Sequence, residues 1–141
     1  MNKKYKIIIV DDDREILTLL RDVLLLDDDN YKVKVFTNLV PALIFLNNHT
    51  DRYDLIISKV YSNLKYGLEL AEIIKKLYSN IKVILTSSFN VNETIQFKNH
   101  CDGYLQKPIN LDSMRKIVRK CLNNQSKPLE TFNSIEMVYF S

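Results

Sequence analysis

Lys6-Ile7-Ile8-Ile9-Val10 runs directly into Asp11-Asp12-Asp13, and this stretch decides the fold class. A short, continuous run of β-favouring apolar residues lacks the alternation of a strand with one wet face. It suits a central strand of a parallel sheet, covered on both sides. The acids that follow then stand at the strand's carboxyl end, where open α/β sheets place their ligands and chemistry. Two similar runs recur: Leu55-Ile56-Ile57-Ser58 ends in Lys59, and Val83-Ile84-Leu85 ends in Thr86.

Working outward, strands are expected over 5–10, 32–36, 54–59, 82–86 and 103–106. The second, Lys-Val-Lys-Val-Phe, alternates strictly and reads as an edge. Helical spacing appears over 14–26 (Ile16, Leu17, Leu20, Val23, Leu24), with Asp13 placed to cap it, and over 40–48, with Pro41 in the first turn. A third helix starts near Gly67 with Leu68, Leu70, Ala71, Ile74 and Leu77 on one side. Residues 91–99 give a weak, polar helix pattern. The last helix spans 112–122, with Met114, Ile117, Val118 and Leu122 inward and Asn110 or Asp112 as its cap. Strands alternating with helices predict an α/β fold: a five-stranded, doubly wound parallel sheet of flavodoxin-like order 2-1-3-4-5 with right-handed crossovers. Its switch point lies between the first and third strands, which brings Asp11, Asp12 and Lys59 together.

A chain of 141 residues suits one domain, expected over 1–124. Residues 125–141 read as a tail rather than a separate domain. Gln125-Ser126-Lys127-Pro128 stops the last helix, and Met137-Val138-Tyr139-Phe140 is apolar and β-prone. The tail either docks on the domain, pairs with another chain or frays. No apolar run approaches the roughly 20 residues of a membrane span, and the N-terminus lacks the pattern of a secretory signal. A cytoplasmic protein without membrane contact is expected. Cys101 and Cys121 read as reduced, part-buried thiols, and His49 and His100 as surface residues without zinc-ligand spacing. The net charge of +3 is a weak bias. The cations Lys107, Arg115, Lys116, Arg119, Lys120 and Lys127 gather at the end of the chain. They form either a solvated helix face or a surface for an acidic partner or nucleic acid; nucleic acid is the less favoured.

The loops after the strands converge on one chemistry. Asp11 and Asp12 follow the first strand, Lys59 ends the third, Thr86-Ser87-Ser88 follow the fourth, and Lys107-Pro108 follow the fifth. Carboxylates, a hydroxyl and a lysine at one sheet edge describe a site for Mg²⁺ and a phosphoryl group. With Ile8-Ile9-Val10-Asp11-Asp12, Asp54-Leu55-Ile56-Ile57, Gly67-Leu68-Glu69-Leu70, Val83-Ile84-Leu85-Thr86 and Tyr104-Leu105-Gln106-Lys107-Pro108 in order, residues 5–123 resemble a response-regulator receiver domain of two-component, phosphorelay signalling.

The resemblance implies roles. Asp11 and Asp12 correspond to the family's Mg²⁺-binding acids, Thr86 to its phosphate-site hydroxyl, Lys107 to its phosphate-contacting lysine and Tyr104 to its aromatic switch residue. The phosphoacceptor aspartate stands eight residues before the glycine, and here that residue is Lys59. Shifting the alignment by one place gives Ser58 or Val60, neither an acid. An ammonium a few ångströms from a carboxylate gains about 4 kcal/mol of Coulomb energy at an effective dielectric near 20, before desolvation is deducted. Lys59 is therefore expected to pair with Asp11 or Asp12 in the metal's place, to leave no cofactor or only weakly held Mg²⁺, and to block phosphorylation.

The expected function is a stand-alone, atypical receiver, not an enzyme. Its expected partner is a signalling protein, a histidine kinase or another regulator. Contact would run through the face made by the helix at 91–99, the fifth strand and the last helix; a homodimer is an open alternative. Two other readings remain. One is Mg²⁺-dependent phosphotransfer or hydrolysis, for which Ser58 is the nearest nucleophile. The other is nucleic-acid binding through the last helix.

Overall fold

The computed structural model describes residues 3–48, 52–60, 72–76, 78, 80–88 and 101–123. In chain order these form β1 (Tyr5–Val10), α1 (Arg14–Asp27), β2 (Tyr31–Phe36), α2 (Leu39–Asn48), β3 (Leu55–Lys59), a helical segment α3 over 72–76, β4 (Lys82–Ser87), β5 (Gly103–Gln106) and α4 (Leu111–Leu122). The strands make one parallel sheet in the order β2-β1-β3-β4-β5. The expected order is therefore observed, and element limits differ from the sequence reading by a residue or so. Of the predicted third helix only 72–76 is described. The predicted helix at 91–99, His49, His100 and the tail beyond Asn123 lie outside the described residues.

Pleating sorts the apolar runs into two cores. Ile8, Val10, Ile56, Val83, Leu85 and Tyr104 face α2 and Ile74. Ile7, Ile9, Leu55, Ile57, Ile84 and Leu105 face α1 and α4. Every residue of β1 from Ile7 to Val10 is at most 1% exposed, as a strand covered on both faces requires. β2 is the edge, with Lys32 and Lys34 exposed.

The helix ends follow from local chemistry. The Asp13 carboxylate accepts the Glu15 and Ile16 N–H groups at 2.9 and 3.3 Å and starts α1. Asn110, not Asp112, caps α4 by accepting from Ser113 N at 2.9 Å. Asp112 turns instead to Arg115, 3.0 Å away. Asn123, in the left-handed region at φ 53°, ends α4 by donating its N–H to the carbonyls of Arg119 and Lys120. The strand starts are tied by carboxylates: Asp54 accepts the Lys6 N–H at 2.9 Å and Asp102 accepts the Val83 N–H at 2.8 Å. The Lys107–Pro108 peptide bond is cis.

The basic helix face expected at the chain's end is kept only in part: Lys120 is exposed and Lys116 half-buried, but both arginines of α4 turn towards α1. Asp27, in the last turn of α1, has a fully buried carboxylate. It accepts from Arg119 through Nε and Nη2, both at 2.9 Å, and from Arg115 Nε at 2.9 Å. Two of the cations read as outward-facing thus bind α4 to α1. An acid at a helix carboxyl end opposes the helix dipole, and the paired guanidiniums offset it. Burial works against the Arg115 charge, but Asp27 outweighs it and holds the guanidinium above its ordinary range.

Candidate functional site

The crevice lies where β1 and β3 part. The register places Val10 beside Ser58 and Lys59 beside Thr86. The residues just beyond these ends therefore share one pocket. Asp11 leaves β1 with its backbone N–H held by the Phe36 carbonyl at 3.1 Å. Its carboxylate, in a residue 2% exposed, accepts the Asp13 N–H at 2.9 Å and the Lys107 ammonium at 2.7 Å. Asp12 points outward, and its Oδ1 lies 2.8 Å from Lys59 Nζ. That hydrogen bond is the main reason the Asp12 carboxyl sits below its ordinary range.

Two carboxylates and two ammoniums therefore meet in the crevice, Asp11 bonded to Lys107 and Asp12 to Lys59. The energetic expectation needs correction. Asp12's side chain is 58% exposed and that of Lys59 29%. Water screens such a pair, so its net worth falls to about 0.2–1 kcal/mol rather than several. The Lys107–Asp11 pair is the better protected, with side-chain exposures of 23% and 2%.

Thr86 is buried at the end of β4, and its carbonyl accepts the Val60 N–H at 2.8 Å. Tyr104 is 1% exposed, its ring in the core between the sheet and α2. Its hydroxyl lies 2.5 Å from Ser87 Oγ and donates at 3.3 Å to the Ser87 carbonyl. The same carbonyl accepts the Lys107 N–H at 2.7 Å. Ser87 thus joins Tyr104 to the segment that carries Lys107. Sequence reasoning gave Ser87 no role of its own. The available signal was the β4–β5 pairing, which puts Ser87 opposite Gln106, next to Lys107. Ser58 is fully buried and its hydroxyl donates to the Lys59 carbonyl at 3.1 Å, so it is not presented to the crevice as a nucleophile.

Residues 7–119 match the family described as "Response regulator receiver domain". The chain belongs to the response-regulator receiver family. Receiver domains are signalling modules that interact with kinases and other regulators in two-component systems. Among similar proteins, the two-component response regulator EHD1 of Oryza sativa subsp. indica is 24% identical over 92% of this chain and 38% of its own length. The transcriptional regulatory protein CpxR of Klebsiella pneumoniae subsp. pneumoniae is 30% identical over 74% of this chain and 44% of its own. The chain therefore spans less than half the length of these relatives. Among solved structures, a response regulator from Thermotoga maritima superposes with a TM-score of 0.74 at 23% identity, covering 86% of this chain and 99% of that one. A receiver domain from Clostridium thermocellum gives 0.71 at 20% identity, over 86% and 96%. These likenesses agree with the receiver fold read from the strand order.

Receiver domains imply Mg²⁺, and the donor set here does not fit it. A hard divalent cation needs several oxygen ligands at one point. The two carboxylates that follow β1 are each bonded to an ammonium, and β3 brings a cation, Lys59, to the same crevice. No group of three or more His, Cys, Asp or Glu side chains suited to a metal occurs among the described residues. No helix among them is long and apolar enough to cross a membrane.

Proposed function

We propose that this receiver domain transmits its signal through protein–protein contact without phosphorylation at the usual position. The observation that carries the reading is the 2.8 Å pair between Lys59, at the end of β3, and Asp12. By the motif spacing, Lys59 stands at the family's phosphoacceptor position. A protonated amine has no lone pair with which to attack a phosphodonor, and it cannot form the acyl phosphate that a carboxylate forms. Its charge also brings the pocket to neutrality, with Asp11 and Asp12 set against Lys59 and Lys107. Mg²⁺ would have to displace two ammoniums to gather both carboxylates, so weak affinity follows.

Asp11, Asp12, Thr86, Tyr104 and Lys107 keep the shape of the receiver pocket while Lys59 replaces its chemistry. No catalytic role is assigned. The partner is a signalling protein, a histidine kinase or another regulator. Control comes from the presence of that partner rather than from phosphoryl transfer. Cys101 and Cys121 carry thiols and are not joined in a disulfide, which fits a reducing compartment such as the cytoplasm.

Incubation with Mg²⁺ and acetyl phosphate, followed by intact-mass measurement, tests the proposal. The chain is expected to acquire no phosphoryl adduct. A hydroxylamine-labile adduct on this chain would overturn the reading. Lys59→Asp, treated in the same way, reports whether the remaining pocket is competent once the acid is supplied. Titration with Mg²⁺ followed by amide NMR should show weak binding to the chain and tighter binding to Lys59→Asp.

A further inference from the structure

At the end of the sheet away from the crevice a cavity of about 190 Å³ opens. Lys82 at the start of β4, Asp102 just before β5, and Ile117, Lys120, Cys121 and Asn123 of α4 and its cap line it. Lys82 stands four residues before Thr86 on β4, so the cavity lies about 13 Å along the strand from the phosphate-site hydroxyl.

The charges around the cavity do not balance. One oxygen of Asp102 accepts the Lys75 ammonium at 2.7 Å and the Val83 N–H at 2.8 Å. The other lies 3.9 Å from Lys82 Nζ, beyond hydrogen-bond reach. Lys120 is exposed, and no carboxylate among the described residues pairs with it. Asp54, whose carbonyl accepts the Lys82 N–H, turns its carboxylate to the Lys6 N–H at 2.9 Å. Three ammoniums, Lys75, Lys82 and Lys120, therefore face one carboxylate, and all four charges act on the Cys121 thiol. That thiol is pushed up to about 12, chiefly by burial, so it adds no anion near neutral pH. Asn123 donates its N–H to the carbonyls of Arg119 and Lys120, which caps the negative end of α4.

We propose that this cavity binds a small phosphate monoester, with its phosphate on Lys82 and Lys120 and its carbon body against Ile117 and Cys121. Charge selects the phosphate. The excess of two positive charges, three ammoniums less one carboxylate, matches a group that carries about −1.5 to −2 near pH 7. A lysine meets phosphate oxygens as a point charge with three donors. Ile117, only 5% exposed, gives the wall an apolar patch. Size limits the body. An engineered apolar cavity of about 150 Å³ holds benzene, whereas sites for drug-sized ligands run to about 300–1,000 Å³. About 190 Å³ therefore admits a phosphate with a few carbons and not a whole nucleotide. The site uses neither Mg²⁺ nor the crevice, so it stands or falls apart from the reading of Lys59.

Amide NMR of the full chain, titrated with glycerol 3-phosphate, tests the site. Saturable shifts are expected at Lys82, at Asp102 and Gly103, and from Lys120 to Asn123, in the millimolar range. Lys82→Ala/Lys120→Ala should weaken binding by about tenfold or more. Lys32→Ala/Lys76→Ala removes two exposed lysines elsewhere and should change it by less than about twofold. Acetate, a monoanion, should bind about tenfold more weakly than the ester. The same spectra report that each variant keeps the fold. Equal weakening by the two double variants would mean general attraction to a basic chain and would overturn the proposal. Shifts confined to Asp12, Lys59 and Thr86 would place the phosphate in the crevice and overturn it as well. Acetate binding as tightly as the ester, or no saturable shift anywhere, would count equally against it.

Discussion

Removing the carboxylate of Asp27 tests how α4 is held to the domain. Asp27→Ala deletes three hydrogen bonds of 2.9 Å, two to Arg119 and one to Arg115. The two arginines fare differently. Arg115 keeps Asp112 at 3.0 Å, and its side chain is 22% exposed, so water and a second acid remain available. Arg119 has a side chain 5% exposed, and its Nη1 already lacks an acceptor. The variant therefore strands one buried guanidinium. Breaking a buried pair from one side costs about 3–5 kcal/mol. A domain of this size has about 5–15 kcal/mol in total, so the loss is a large fraction of its stability. With a urea m-value near 1.5 kcal/mol/M, the midpoint should fall by about 2–3 M, read by far-ultraviolet circular dichroism. The double variant Asp27→Leu/Arg119→Met fills the same space without charge and should recover most of the loss. Arg119→Lys should resemble the damaged variant, because a lysine cannot make the two-point contact. A midpoint shift below about 0.5 M for Asp27→Ala would refute the reasoning, since it would mean that Arg119 keeps its hydration or finds another acceptor.

Tyr104→Phe removes the hydroxyl shared with Ser87 and should cost about 0.5–1.5 kcal/mol in a chemical melt; an unchanged midpoint would mean the bond is replaced by water. Cys101 and Cys121, both pushed up to about 12 by burial from an ordinary value of 9.0, should resist iodoacetamide at pH 8 in the native protein and react in urea. Because the folded values are the higher ones, the thiols contribute stability in full below about pH 9. That contribution is lost as pH rises towards 12, and an alkaline melt series should show the decline flattening in a Cys121→Ala variant. Lys59→Met should change stability by less than about 1 kcal/mol in either direction, because its partner Asp12 is mostly exposed; a larger loss would place the pair in a drier setting than its geometry indicates.

The sheet was legible because its signals are local. Uninterrupted runs such as Ile7 to Val10 and Leu55 to Ile57 can satisfy two cores only as central strands, and strict alternation at Lys32 to Phe36 marks an edge. Asp13 and Asn110 were readable for the same reason, as short polar side chains just before helical spacing begins. The seam between α1 and α4 was not legible. Asp27 continues the buried stripe of Leu17, Leu20 and Leu24, but its arginines lie 88 and 92 residues away in sequence. No local pattern distinguishes a buried arginine from one on a wet face. Choosing which lysine meets which aspartate likewise needs distances, because the order of the strands brings all four charges into one crevice without assigning the pairs.

The two sets of ion pairs use the same chemistry in different solvents, and that difference separates their roles. Asp27 and Arg119 are out of water, so breaking them is expensive and the seam stays fixed. Asp12 and Lys59 remain wet, so a partner that offers a carboxylate to Lys59 or a cation to Asp12 can open the pair at little cost to the fold. Asp11 and Lys107 lie between these limits. Lys107 is also joined by its backbone to Ser87 and, through Ser87, to Tyr104. A contact that pulls on the outer pair need not disturb the sheet, yet it acts one residue from the carboxylate that positions Lys107. That chain of contacts gives a pocket closed by two ion pairs a physical route to the core beneath α2.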